Sequence, residues 1–331
     1  MKKITRLTFV LLFFVISTIA GTGPRHLIDA KGNPIEIPEV VTRVAANGAI
    51  NQIVLLLGAR DKLVATSVII HRNPMFVKIF PGITSIPAAF AADRKSLNLE
   101  ELLAAHPQVV FGRFPQLKGT GIIPVELDLT TPDKIKQAIL LVGQILGEKE
   151  EQRAKEYIQY YDANMQSVLA RTSELAPDER PLVYLASGQD GLTSEGASTI
   201  TDEWITIAGG RNLAVRFPVT QKIALENIIA ANPDIIIVNS AIVKEKIMAD
   251  SKWAMIKAVK TGHIYTNPKG VYLWSVRSGE GALQFLWSAK IIHPELFVDL
   301  DIASELASYY DKYYNYHLSD AEINSILTQQ W

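Results

Sequence analysis

The sequence predicts an α/β protein of two lobes, each built on a mainly parallel sheet flanked by helices, joined by a long rigid interlobe helix. Three observations predict it. A helix-into-strand phrase occurs twice, as LEELLAAHPQVVF (residues 99–111) and LENIIAANPDIII (residues 225–237), at a constant offset of 126 residues. Short apolar runs bounded by turn residues alternate with helical periodicity in both halves, and parallel strands require such helical crossovers. At 331 residues, with 48% hydrophobic and 20% charged residues, the chain can bury a sizeable core and exceeds one small domain.

Residues 1–20 read as a secretory signal: Lys2, Lys3 and Arg6 form the basic start, residues 7–19 the apolar run, and Thr18-Ile19-Ala20 a small-residue cleavage site. The run is shorter than the roughly 20 apolar residues a spanning helix needs. Removing its three cations moves the formal net charge from -1 to -4, and that mild acidity argues against a nucleic-acid partner. The chain has no cysteine. Export without thiols excludes both a disulfide scaffold and a lipoprotein anchor, which fits a free periplasmic protein.

The first lobe, residues 21–130, takes its strands from the apolar runs at 43–46, 63–66, 108–112 and 122–125. The interlobe segment, residues 131–172, opens on Thr131-Pro132-Asp133, an N-cap followed by Pro at the first helical position. Ala154, Tyr157, Ile158, Tyr161, Met165, Val168 and Leu169 then share one helical face. Gly143 and Gly147 weaken the middle, so one long helix or two in series both fit. A turn-rich, charged stretch at 172–181 leads into the second lobe, residues 173–331, with strands at 182–186, 235–238 and 263–265. A helix with Leu283, Leu286, Trp287 and Ile291 on one face follows. A last helical stretch from Ile302 ends in Tyr309, Tyr310, Tyr313, Tyr314 and Tyr316. These tyrosines suit packing between terminal helices, with a ligand-stacking surface as the sharper reading.

Seven segments carry a resemblance: IDAKGNPIEIPEVVTRV, LLLGARDKLVAT, LNLEELLAAHPQVVF, AGGRNLA, LENIIAANPDIIIV, SKWAMIKAVKTGHIYTNP and WSAKIIHPELF. In this order, over nearly all of the chain after residue 20, they resemble the periplasmic substrate-binding proteins of ABC importers for ferric siderophores, cobalamin and related metal complexes. That is the class with a rigid helical backbone between two lobes. The resemblance implies a monomeric carrier with no cofactor of its own, serving an ABC permease dimer whose ATPase subunits supply the energy. It also implies that Glu100 and Glu226, the second residues of the repeated phrases, meet arginines of the two permease subunits. Two carboxylates at corresponding places suit a two-fold symmetric partner. The plainer reading is that each lies near a helix N-terminus and interacts with its dipole.

In such a molecule the ligand belongs between the lobes, where strand ends and loops converge. The candidate loops are Asn47-Gly48, residues 67–72 and Arg113-Phe114 in the first lobe, and residues 187–191, Asn239-Ser240 and 272–277 in the second. The expected contacts are Asn47, Ser67, His71, Arg72, Arg113, Phe114, Asn239, Tyr272, Trp274 and Arg277. Arg72, Arg113 and Arg277 suit carboxylates and oxyanions, and the neighbouring aromatics suit a bulky organic chelate. The six histidines form no HxxxH or HxH pair, so direct metal ligation is not expected. An anionic ferric chelate is the first expectation, a molybdate or tungstate oxyanion the alternative, and cobalamin fits less well. A sensor-only binding protein and a secreted hydrolase are the competing classes. Against catalysis, no GxSxG elbow, dinucleotide fingerprint or phosphate loop is present, and Ser187 has no identifiable base.

Overall fold

The computed structural model describes residues 23–92, 96–217 and 220–331. The expected secretory signal lies outside the described residues. The chain opens on an antiparallel hairpin of β1 (Arg25–Ile28) and β2 (Pro34–Ile37). Asp29 builds its turn, its carboxylate accepting from the backbone N–H groups of Lys31 and Asn33 at 2.8 and 2.9 Å.

The first sheet follows, through β3 (Val44–Ala46), α1 (Ile50–Leu56), β4 (Leu63–Ala65), α2 (Val68–His71), α3 (Pro74–Ile79), α4 (Leu99–Ala104), β5 (Val109–Phe111) and β6 (Ile123–Val125). Its order is β4-β3-β5-β6, all parallel. Two helices come next, α5 (Pro132–Leu146) and α6 (Glu148–Thr172). The second half contains β7 (Leu182–Ala186), β8 (Thr193–Glu195), α7 (Ile200–Ile207), β9 (Arg211–Asn212), β10 (Thr220–Lys222), α8 (Leu225–Ala231), β11 (Ile235–Val238), α9 (Ala241–Ala249), α10 (Lys257–Lys260) and β12 (Ile264–Thr266). Its sheet runs β12-β11-β7-β9, again all parallel, and β8 pairs with β10 separately. Three helices close the chain: α11 (Gly281–Ile292), α12 (Ile302–Tyr314) and α13 (Asp320–Thr328).

Counted in chain order within each sheet, both sheets place their strands second, first, third, fourth. The repeated phrase is α4 running into β5 and α8 running into β11, the third strand of each sheet. The repetition in sequence is therefore a repetition of topology. The strands read as unbroken apolar runs because both sheet faces are covered. In the second sheet Val183, Leu185, Ile235 and Ile237 join the central core, while Tyr184, Ala186, Ile236 and Val238 join a separate outer cluster.

The interlobe segment is two helices, and its break follows from backbone geometry. Thr131 caps α5, accepting from Lys134 N–H at 3.4 Å, with Pro132 at the first position. Gly147 ends α5 at φ +140°, a conformation that favours glycine, and Arg25 donates to the exposed carbonyls of Gln144 and Ile145 at 2.6 and 2.8 Å. The chain then folds back on itself. A Cβ on Gly143 would lie 2.8 Å from the Glu150 carbonyl, so only glycine allows this approach. Lys136 reaches Asp162 at 2.7 Å across the hairpin. The 25 residues of α6 form a spine about 37 Å long. Ala154, Tyr157, Tyr161 and Val168 are buried along it.

One other element differs from its sequence pattern, while the terminal tyrosines follow the packing role expected of them. Helix α11 is buried nearly all round, including Gln284 and Ser288, because neighbouring helices cover the face its polar residues suggested was open. Tyr309, Tyr310, Tyr313 and Tyr314 are also buried and pack edge-on and tilted against one another and against Tyr157 and Tyr160 of α6. They are core residues and present no stacking surface.

Candidate functional site

The loops after β3 and β5 and the loop after β12 meet over a cleft of about 600 Å³. On the first side it is lined by Asn47, Gly48, Arg113, Phe114 and Gln116, and on the second by Glu195, Tyr272, Val276 and Arg277. In the first sheet this is the point where strand order reverses, between β3 and β5, the usual ligand position in open α/β sheets.

Gly48 turns the chain out of β3 at φ +54°. The Tyr272 hydroxyl stands over it, 3.5 Å from where a Cβ would be, so the two sides of the cleft touch here. Ser67 lies beneath the turn, fully buried, its hydroxyl accepting from Gly48 N–H at 3.3 Å. Asn51 adds a bond to the Gly48 carbonyl at 3.0 Å and accepts from the Thr66 hydroxyl at 2.7 Å. After β5, Gly112 adopts φ +130° with the Phe114 ring where its Cβ would be, and Phe114 packs on Phe90 at 5.2 Å between centroids. The Arg113 side chain is 77% exposed and meets Glu126 at 3.7 Å, a pairing worth little at such exposure. Its guanidinium is free to turn to a ligand at small cost.

Of the sequence-predicted contacts, Asn47, Arg113, Phe114, Tyr272 and Arg277 line the cleft. The other five do not. Ser67 supports the Gly48 turn from below. His71 and Arg72 lie at the end of α2, His71 half-buried and Arg72 exposed. Asn239 accepts from the Ser275 hydroxyl at 2.9 Å and, through its carbonyl, from Gln329 at 3.1 Å, so it braces the base of the second side. Trp274 is 1% exposed and packs among Tyr161, Trp204 and Phe285. An extended strand would place residues two apart on one face, but residues 272–277 form a run of turns and bends, so Tyr272 faces the cleft while Trp274 turns into the core.

Sequence reasoning missed Glu195. The loop expected to face the cleft, residues 187–191, instead folds into a tight turn, because Ser187 and Thr193 exchange backbone hydrogen bonds at 2.8 and 3.1 Å. The turn delivers Glu195 at the end of β8, where its carboxylate accepts from the Thr201 hydroxyl at 2.8 Å. Only a carboxylate closing the short LTSE stretch hinted at it.

The wall that carries Tyr272 and Arg277 belongs to the second half in sequence but is tied to the first. Asn73, capping α3, donates to the carbonyls of Val271 and Gly270 at 2.9 and 3.3 Å. Gln52 of α1 accepts from Gly279 N–H at 2.6 Å. A wider groove of about 1080 Å³ runs along the end of α6, α8 and β9. Its Arg180 is spent on the carbonyls of Thr172 and Leu175, and its Arg211 on the Arg180 carbonyl. No group of three or more His, Asp or Glu side chains placed to hold a metal occurs among the described residues. Among them too, no helix is long and apolar enough to cross a membrane.

Two like-wound α/β sheets joined by a helical spine, with a ligand-sized cleft between them, are the architecture of a solute-binding protein. The chain belongs to the periplasmic binding protein family, whose model matches residues 44–270, and is a binding protein of the ABC-importer type. It is 27% identical over 270 residues to the molybdate-binding protein MolA of Haemophilus influenzae, covering 72% of this chain and 75% of that protein. Among solved structures it resembles a periplasmic solute binding protein from Veillonella parvula, with a TM-score of 0.81, 25% identity, and coverage of 92% of this chain and 97% of that one. The fold also matches that of molybdate-bound MolA, with a TM-score of 0.80, 24% identity, and coverage of 89% and 99%.

Proposed function

We propose that this protein captures a compact oxyanion of the molybdate and tungstate type in the cleft and hands it to an ABC permease. The observation that carries the reading is the meeting of Arg113 and Arg277, from opposite sides, in a cleft with the Gly48 turn and Tyr272. Two guanidinium groups offset a doubly charged tetrahedral anion, and their planar forks suit its oxygens. The similarity to MolA supports the same ligand class. The ferric chelate expected from sequence drew on a third arginine and on Trp274; with Arg72 and Trp274 outside the lining, that argument is weaker. A carboxylate-rich metal chelate is the second reading, favoured by the cleft volume of about 600 Å³, which exceeds what a tetrahedral oxyanion fills.

Delivery is assigned to Glu100 and Glu226. Each is exposed in the first turn before the third strand of its sheet, and neither has an ion-pair partner among the described residues. Capping of α4 falls to Asn98, which accepts from Glu101 N–H at 3.2 Å, so Glu100 is available to a partner. The α6 spine and the Asn73 and Gln52 tethers support a small change of lobe angle on binding, since among the described residues no extended crossover strands serve as hinges.

Titration calorimetry with sodium molybdate, sodium tungstate and ferric citrate tests the reading. Molybdate is expected to bind, and Arg113→Ala and Arg277→Ala each to weaken it about 10- to 150-fold, the loss of one charge-assisted contact of about 1.5–3 kcal/mol. Heat with ferric citrate alone would transfer the assignment to the chelate. Unchanged affinity in both variants would remove the cleft from consideration.

A further inference from the structure

We propose that Glu280 is the residue that positions Tyr272 in the cleft, its buried carboxylate gathering the cleft loop onto α12 and making ligand affinity depend on pH. Glu280 is fully buried, and none of the ion pairs among the described residues reaches it. Three donors converge on it. One oxygen accepts from Val271 N–H at 3.1 Å and from the Tyr310 hydroxyl at 2.5 Å, and the other from Tyr272 N–H at 2.9 Å. An ionised carboxylate is an acceptor at every lone pair and satisfies all three. The fit is tight: a Cβ on Gly270 would collide with the Tyr310 hydroxyl and lie 2.8 Å from a Glu280 oxygen.

This centre continues into both halves of the molecule. Gly279, next in the chain, donates to Gln52 of α1, and Gln52 donates to the Tyr314 hydroxyl at 2.6 Å. Tyr157 of α6 donates to the Gly279 carbonyl. The titratable groups facing Glu280 are the phenols Tyr309, Tyr310 and Tyr314 of α12, all held in the neutral form by burial, with Tyr157 on the α6 side. From the first half it is approached by the neutral amides Gln52 and Asn73, and its own loop carries Arg277 at the cleft. Burial raises the Glu280 acid to about 7, against the pull of hydrogen bonds from Tyr310, Tyr272 and Val271. Proton uptake in the neutral range therefore removes the charge that holds the loop. When a proton binds, one donor faces an acid hydroxyl in place of a carboxylate oxygen, and the Val271-Tyr272 backbone loses its strongest acceptor.

The proposal rests on the cleft being the ligand site, and its test has an arm that does not. Molybdate affinity is measured from pH 5.5 to 8.5 on the wild-type protein, Glu280→Gln and Tyr310→Phe. In parallel, amide hydrogen exchange of residues 270–280 is followed without ligand and corrected for intrinsic rates. The loop N–H groups favour the charged form, so a loosened loop that leaves Glu280 covered by α12 holds the proton more tightly; wild-type affinity is therefore expected to fall about tenfold on acidification, while exchange at Val271 and Tyr272 accelerates. A glutamine has one acceptor oxygen and turns an N–H toward the donors, so Glu280→Gln is expected to bind weakly with a flat profile. Tyr310→Phe removes a bond that favours the charge and is expected to move the midpoint to higher pH, which a merely structural role would not do. A Glu280→Gln protein that follows the wild-type profile overturns the proposal, as does an unmoved midpoint in Tyr310→Phe. If the wild-type protein takes up no molybdate, the ligand assignment fails, and exchange alone decides: pH-dependent loosening abolished in Glu280→Gln supports the role, and equal exchange in both proteins refutes it.

Discussion

Removing the side chain of Asn73, buried between the first half and the cleft loop, should be costly, because this residue serves two structures at once. Its carbonyl oxygen accepts from Phe76 N–H at 2.9 Å and caps α3, and its amide donates to Val271 and Gly270 across the two halves. Loss of an N-cap costs about 1 kcal/mol. The two carbonyls it serves are buried, and leaving one without a partner costs about 1–3 kcal/mol. Because the 3.3 Å bond to Gly270 is long and Gly270 retains other contacts, one full penalty is counted, for a total of about 2–4 kcal/mol. At roughly 2 °C per kcal/mol for a chain of this size, Asn73→Ala should melt about 4–8 °C lower. Asn73→Ser keeps the capping oxygen and removes the amide donors, so it should lose about 1–3 kcal/mol. In both variants the exchange of residues 270–280 should accelerate, which separates the tether from the cap. Calorimetry and urea titration measure the first effect, and exchange by mass spectrometry the second. A loss below 0.5 kcal/mol in Asn73→Ala, or unchanged exchange in the serine variant, would refute the idea that the first half holds the cleft loop in place.

Glu100→Arg and Glu226→Arg should leave fold, melting temperature and ligand affinity unchanged and abolish uptake in whole cells or proteoliposomes; full uptake would exclude docking through these carboxylates, and retained signalling with no uptake defect would point to a sensor. The Glu280 acid also sets a pH dependence of stability. Its folded-state pKa of about 7 lies above its ordinary 4.5, so the native state holds the proton more tightly than the unfolded chain. This contribution is fully present below about pH 4.5 and is lost as pH rises through 7, an effect of about 3 kcal/mol. Denaturation midpoints for the wild-type protein should fall relative to Glu280→Gln between pH 5 and 8, and parallel curves would show that the group titrates normally.

The tolerance of the fold to sequence inspection follows from which interactions are local. Residues 109–111 and 235–238 were legible as strands because full burial on both faces demands unbroken apolar runs, and α5 was legible from Thr131 and Pro132 because caps are local chemistry. The strands β8, β9 and β10 were not, since TSE, RN and TQK carry no hydrophobic pattern and pair only where the surrounding chain presents them. The same distinction divides the cleft. Arg113 and Phe114 follow directly on β5, so strand position alone placed them. Trp274 and Glu195 depended on how a loop was turned, and a loop turns according to partners far away in sequence, such as Asn73 for residues 270–271 and Thr193 for Ser187.

What the amino-acid sequence determined by itself is therefore the two-lobed parallel architecture, its internal repetition, and the positions of Glu100 and Glu226 within the repeat, because periodicity, capping and strand burial act over a few residues. Tertiary structure alone decided that the interlobe segment breaks at Gly147 and folds back, that two arginines rather than three face the cleft, and that a buried carboxylate holds Tyr272. Those outcomes draw on contacts of every range, from Tyr272 with Glu280, 8 positions apart, to Gln52 with Gly279, 227 apart, and Arg25 with Gln144, 119 apart, and no local pattern encodes their combined geometry.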